Sequence, residues 1–382
     1  MTKQYDHIVI GGGVMGLATT WQLASRGESV LLLERFGAHH TNGASHGSTR
    51  NLNNAYSEDH YLDLFTEASA LWRELESGSG TQLLGLHGLV THGDPERITA
   101  AHDALQARGA DISVMCADEA AAHWTGMKFE GNVLIGREAG IIFASRALDA
   151  FSAAAVAAGA DIQRGVKVLE IDPLADGAYV TVQHPSGVEG VDGPVQDLFA
   201  AHVTVTAGAW SEPLLRGIID LPTLTVTEEH PAHFAPRSND LVWPSFNHLL
   251  GAELLDEFGA DVYGMPSPGE GTKVGFHCVG DEVDPDARTF HSTERLRSQL
   301  RTYVSEWFPG LDPDTAAEIS CTYTSTASGD FVLDTVGPIT VGAGFSGHGF
   351  KFAPAIGRVL ADAAMGRGQA PSPFLLETHR AW

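Results

Sequence analysis

Apolar and polar positions along the chain alternate in two periods. Residues 7–10 are a short apolar run that ends in Gly11-Gly12-Gly13-Val14-Met15-Gly16. Leu17, Ala18, Trp21 and Ala24 then recur at helical spacing, Gly27 stops the helix, and residues 30–33 form a second apolar run ending in Glu34. The order is strand, glycine turn, helix, strand, acid, which predicts a dinucleotide-binding βαβ unit. In such a unit Gly11 allows the tight turn, Gly13 lets a pyrophosphate approach the backbone, and Gly16 lets the helix pack on the sheet. The helix N-terminus presents free N–H groups and a positive dipole end to the phosphates. Glu34 is placed to accept from both ribose hydroxyls, which argues against a 2′-phosphate. The motif alone does not distinguish NAD from FAD.

Further along, helical periodicity predicts helices over 61–76, 95–108, 117–124, 146–158, 293–308 and 355–365. Strand-like runs fall at 86–91, 166–171, 179–183 and 199–206, and again at 331–334 and 339–344. The run 199–206 leads into Thr206-Ala207-Gly208-Ala209-Trp210, which suits a return to the nucleotide sheet. Residues 221–279, rich in β-branched and aromatic side chains, predict an antiparallel sheet. The chain therefore reads as α/β: a Rossmann-type domain (1–82, 145–218 and 320–382) interleaved with an antiparallel-sheet α+β domain (83–144 and 219–319).

Length and charge narrow the classes. At 382 residues two domains are expected. A net charge of −25 without any basic tract argues against nucleic acid or an anionic membrane as partner. No apolar run approaches the length of a membrane span. The first strand begins within seven residues of Met1, the C-terminal residues are not a peroxisomal address, and a cytoplasmic enzyme is expected. Cys116, Cys278 and Cys321 are spaced as neither a disulfide framework nor a metal site. Cys116 and Cys278 are expected to be buried and inert. Cys321 stands where the chain re-enters the nucleotide domain.

The chain has only five lysines, Lys3, Lys128, Lys167, Lys273 and Lys351. Lys273 and Lys351 lie in apolar, glycine-rich surroundings, where a lysine either snorkels to water or serves the chemistry. On a strand, Lys273 and His277 would share one face about 13 Å apart and line a cavity at two points. A lysine in a dry cavity can stabilise negative charge that develops on oxygen. In the polar loop after Glu34, His46 is by default a solvated side chain and Arg50 a partner for a carboxylate. Gly347, His348 and Gly349 precede a helix whose N-terminus could face developing negative charge.

Taken together, the glycine turn, Ala44-Ser45-His46-Gly47-Ser48-Thr49-Arg50, Thr206-Ala207-Gly208-Ala209-Trp210, Gly271-Thr272-Lys273-Val274-Gly275-Phe276-His277, Cys321-Thr322-Tyr323-Thr324 and Gly344-Phe345-Ser346-Gly347-His348-Gly349-Phe350-Lys351-Phe352 resemble the monomeric sarcosine oxidase family. Its relatives include N-methyltryptophan oxidase, pipecolate oxidase and the fructosyl amino acid oxidases, within the D-amino-acid-oxidase-like flavoproteins. The motifs match in the same order along the whole chain. The resemblance implies a monomeric FAD enzyme that oxidises the C–N bond of an N-substituted amino acid and passes electrons to oxygen, giving hydrogen peroxide. It implies catalytic roles for Lys273 (oxygen activation), His277, Tyr263 and Arg50, and substrate contacts for Lys351, Asn53 and Tyr263. For the cofactor it implies Gly11, Gly13, Val14, Met15, Gly16, Glu34, Arg35, Ser45, His46, Arg50, Val168, Gly208, Trp210, Gly347, His348, Gly349 and Lys351, with Cys321 as the thioether to the flavin 8α-methyl. No metal is expected.

Two positions depart from the family. Asn53 stands where a second carboxylate-binding arginine is expected, and Ser48 where an aspartate is. Without the arginine fork the carboxylate clamp is reduced to Lys351, and an amide-lined mouth suits a bulkier or hydroxylated N-substituent as in a fructosyl amino acid. Two other classes stay open: a flavin dehydrogenase feeding a carrier, and a non-catalytic flavin-binding subunit.

Overall fold

The computed structural model describes residues 4–187 and 191–379. Lys3 and the C-terminal residues 380–382, on which two sequence expectations fall, lie outside the described residues.

The first sheet has eight strands and is built around Tyr5–Ile10. That strand pairs in parallel with Val30–Glu34 on one side and Val195–Val205 on the other. Asp161–Arg164 extends the sheet in parallel beyond Val30–Glu34. The long strand Val195–Val205 serves two further neighbours on its other edge. Its first half pairs antiparallel with Gly177–Gln183, and its last three residues pair in parallel with Ile339–Ala343. Four helices, Val14–Ala24, Asp59–Ser79, Ala144–Ala157 and Ala353–Ala364, cover one face of this sheet. Their core is continuous through Leu17, Trp21, Trp72, Phe151 and Ile356. Close approach of helix to helix needs small residues: a Cβ on Gly357 would stand 2.6 Å from the backbone carbon of Ala18.

The second sheet also has eight strands, with Ser245–Leu249 and Val262–Ser267 at its centre and Gly271–Phe276 beside the latter. The sheet expected over 221–279 is antiparallel throughout. The observed one contains a parallel joint, Ser245–Leu249 against Leu89–Gly93. The two strands come from separate passes of the chain, so no hairpin fixes their direction. A helix, Ala252–Phe258, also interrupts the run. The helix Glu294–Trp307 packs Leu300, Tyr303 and Val304 on the sheet's outer face. Its inner face turns toward the first sheet, and that face builds the site.

Two of the cysteines are not where their chemistry suggests. Cys116 and Cys278 are exposed rather than buried. Cys116 sits at the N-cap of the helix Ala117–His123, and Cys278 takes a left-handed turn (φ 61°) two residues past the strand Gly271–Phe276. Both are places where the chain meets solvent. Among the described residues no helix is long and apolar enough to cross a membrane, and no cluster of side chains suits a metal ion.

Candidate active site

An elongated cavity of about 1380 Å³ runs between the two sheets. Its first end is the glycine turn. Gly11 has φ 102°, and a Cβ there would lie 2.4 Å from the Thr206 carbonyl oxygen, so only glycine fits. Gly13 is the N-cap of the helix Val14–Ala24, and the Val14 N–H donates to Ser45 Oγ at 3.1 Å. Gly16 alone of the expected cofactor residues stands behind the cavity wall: a Cβ there would be 1.8 Å from the Gly11 carbonyl oxygen. Glu34 Oε2 accepts from the Gly12 N–H at 2.6 Å and Oε1 from the Phe36 N–H at 2.7 Å. Arg35 reaches Asp286 at 2.8 Å, and the Trp210 indole donates to the same carboxylate oxygen at 3.0 Å. Val168 and Gly208 complete this end, with Met15 further in.

The middle is lined by the 43–50 loop and by the strand Cys321–Ser325. His46 is not solvated: its Nε2–H donates to the Ser320 carbonyl at 2.8 Å. Burial, helped by Arg50, lowers its pKa to about 4, so the ring is neutral. Arg50 donates to the carbonyls of Thr49, Ala44 and His46 at 2.9, 2.7 and 2.5 Å, and its guanidinium lies over the Phe350 ring. Its partners are therefore carbonyl oxygens, not a carboxylate. Cys321 Sγ is 3.8 Å from the Ala44 carbonyl oxygen. Burial pushes its thiol pKa up, while Arg50 and Lys273 pull against that.

At the far end two buried lysines meet the same cavity from different elements. Lys273 lies on Gly271–Phe276 and donates to the Thr49 carbonyl at 3.0 Å. Lys351 lies in the short turn Phe350–Phe352 and donates to Tyr56 Oη at 2.8 Å and to the His348 carbonyl at 2.7 Å. The buried Trp72 indole holds the Lys351 carbonyl at 2.8 Å. Burial lowers both ammonium pKa values to about 7, with Arg50 adding to the effect at Lys273. The helix expected over 355–365 is Ala353–Ala364, and this 3₁₀ turn separates it from Gly349. Gly347 (φ 75°) must be glycine, since a Cβ would strike the Tyr323 ring at 2.2 Å.

Register sets the rest of this end. Tyr263 pairs across from Gly275 and from Asn247, so these positions share a face with Lys273. The bare Cα of Gly275 leaves room for Tyr263, whose oxygen would be 3.0 Å from a Cβ there. His277 falls one residue past the strand end, its N–H bonded to the Asp261 carbonyl at 2.9 Å. Burial, reinforced by Lys351, lowers its pKa. Asn53 also lines the cavity, with Oδ1 accepting the Ala55 N–H at 2.8 Å and its amide N–H groups left over.

Reading the residues alone missed three cavity side chains. Tyr323 is 3.5 Å from Tyr263, oxygen to oxygen, and its signal was present: two residues after Cys321 on a strand, it faces the same way. Tyr56 and Asn247 carry no such local sign.

The glycine cradle, the acid at the second strand end and the length of the cavity fit a bound dinucleotide such as FAD.

The comparisons with known proteins agree with this geometry. Residues 6–363 match the family described as DAO, FAD dependent oxidoreductase. The chain is 29% identical to monomeric sarcosine oxidase of Bacillus sp. (strain B-0618) over 381 residues, covering 96% of this chain and 93% of that protein. It is 33% identical to peroxisomal sarcosine oxidase of Mus musculus over 381 residues, covering 95% and 93%. Among solved structures, NikD, an unusual amino acid oxidase essential for nikkomycin biosynthesis, superposes in its open form with a TM-score of 0.83 at 26% identity, covering 97% of this chain and 96% of that one.

Proposed function

The chain belongs to the FAD dependent oxidoreductase family, and on that basis we propose that it oxidises the C–N bond of N-substituted amino acids, with oxygen as acceptor and hydrogen peroxide as product. FAD supplies the two-electron acceptor for that bond. The observation that carries the reading is the pair of buried lysines opening on one cavity that continues into a glycine cradle. On this reading residues 1–82, 145–218 and 320–382 hold the cofactor, while 83–144 and 219–319 shape the substrate side.

The side chains divide the work. Lys351 has two of its three N–H donors engaged and offers the third to the substrate carboxylate. Asn53 adds an amide N–H where an arginine fork would grip twice. Lys351, Lys273 and Arg50 together disfavour an ammonium in the cavity, so the amine is held neutral, the form able to release a hydride. His277, neutral through burial and Lys351, and Tyr263, backed by Tyr323, line the space for the amine. Lys273 stabilises charge developing on oxygen from a wall closed to water. Glu34 and the Val14 helix end would hold the adenosine and pyrophosphate half of FAD, and Arg50 would lend positive charge to the flavin. Cys321, between Arg50 and Lys273, is the thioether attachment. Cysteines without disulfide spacing suit the cytoplasm, and the likeness to monomeric sarcosine oxidase suits a monomer.

The Asn51, Asn53 and Asn247 amides favour a polar or bulky N-substituent, such as a fructosyl amino acid, over minimal sarcosine. Peroxide release from sarcosine, pipecolate, N-methyltryptophan and fructosyl amino acids tests this. Activity with none of them overturns the substrate class, and flavin bleaching without peroxide points to a carrier as acceptor. The attachment has its own test: acid-precipitated protein stays yellow, and Cys321→Ala loses its colour on precipitation.

A further inference from the structure

A polar chain unused by the steps above links the surface to Lys273. His233 stands directly across from Lys273 in the antiparallel pair Ala232–Phe234 and Gly271–Phe276, so both side chains leave the same face. Each is nearly closed to solvent, at 8% and 4% exposure. His233 Nε2 lies 3.3 Å from Glu270 Oε2 and 3.2 Å from Ser267 Oγ. Ser267 Oγ is 2.6 Å from Thr49 Oγ1, and the Thr49 carbonyl is the acceptor of Lys273 Nζ. Glu270 is half exposed, and Ser48, at the position where an aspartate was expected, hydrogen-bonds its carboxylate. The lost acid at 48 is thus replaced by an acid reached through space.

We propose that His233 carries protons from Glu270 at the surface, through Ser267 and Thr49, to the Lys273 corner of the cavity. The proposal rests on the oxidase reading. Oxygen becomes hydrogen peroxide by taking two electrons and two protons. The hydride equivalent removed from the substrate carbon brings both electrons and one proton, so one proton per turnover comes from solvent. The imidazole Nε2 takes it from the Glu270 carboxyl and passes it to Ser267 Oγ, whose own proton moves on to Thr49 Oγ1; the Thr49 hydroxyl, which lines the cavity, in turn gives its proton to the reduced oxygen there. Burial and the Lys273 charge lower the His233 pKa to about 4, which keeps the ring neutral and ready to accept. A histidine kept only for packing needs neither a carboxylate on the solvent side nor two hydroxyls on the other.

The test separates the half-reactions. Holoenzyme is bleached anaerobically by the best amine of the panel and then mixed with oxygen, in H2O and in D2O. His233→Asn slows reoxidation on the order of 10²-fold, leaves bleaching and the oxidised flavin spectrum unchanged, and regains rate with added imidazole. Ser267→Ala gives a smaller loss of the same kind and a larger solvent isotope effect than the parent. Wild-type reoxidation in both variants overturns the proposal. So does a loss shared equally by bleaching and reoxidation, or one that imidazole leaves untouched. Failure of every amine to bleach the flavin would instead overturn the oxidase reading itself.

Discussion

The two lysine walls of the cavity have almost the same electrostatics and quite different construction. Burial brings both ammonium groups to a pKa of about 7. Lys273 projects from the middle of a sheet, donates to one carbonyl and has Arg50 as a cationic neighbour. Lys351 sits in a 3₁₀ turn fixed by Trp72, and it donates to a phenol as well as a carbonyl. A single desolvated cation pressed by another cation suits charge that appears briefly on a small molecule. A cation with an adjustable hydroxyl partner suits a ligand that arrives already charged. Desolvation sets how strongly each lysine acts, and its neighbours set what it acts on.

The strongest way to break this comparison is to remove each charge. Lys273→Met should cut reoxidation by oxygen on the order of 10²–10³-fold while amine bleaching persists. Lys351→Met should do the reverse: kcat/KM for the carboxylate substrate falls about 10–150-fold, equivalent to roughly 1.5–3 kcal/mol, and reoxidation of the pre-reduced enzyme is retained. Equal effects of the two variants on both half-reactions would show that the walls are not specialised.

A pH series sharpens the contrast. A lysine whose pKa is lowered to about 7 is cationic below that pH and loses its charge as pH rises through it. Reoxidation of pre-reduced enzyme, which is free of the amine's own titration, should fall about tenfold per pH unit above the Lys273 pKa. A bound carboxylate raises the Lys351 pKa, so its limb should move to higher pH at saturating substrate while that of Lys273 stays. Stopped-flow rates between pH 6 and pH 9 (a range of roughly one to two units on either side of 7) check both limbs.

The smallest expected effect concerns the substrate side of the Lys351 wall. Asn53→Arg restores a fork beside Lys351 and should lower KM for sarcosine on the order of tenfold, with a loss for bulkier N-substituents. Steady-state peroxide assays on both substrate types check it. An unchanged preference would remove Asn53 from the choice of substrate.

The dinucleotide end was legible because its parts are close together in the chain. Strand, turn, helix and acid follow within 30 residues, and each period reports a local geometry. At the reactive end spacing alone suggested a cavity lined by Lys273 and His277, and the other roles were legible only as a resemblance of motifs. Nothing in the spacing brings Tyr56 to Lys351, 295 residues apart, or Thr49 to Lys273, 224 residues apart. The exposed Cys116 and Cys278 failed expectation for a related reason: residue type gives the average burial of a thiol, whereas a cap or a left-handed turn decides the particular case.

The sequence by itself determined the βαβ cradle, the scarcity of lysine and the two places where the expected acid and arginine are missing. Tertiary structure alone decided that Glu270 and His233 stand behind Ser48, that Gly275 makes room for Tyr263, and that two distant lysines share one cavity. Periodicity is a property of neighbours along the chain. A site is a property of neighbours in space, and these were set by the register of strands that one sheet draws from separate passes of the chain.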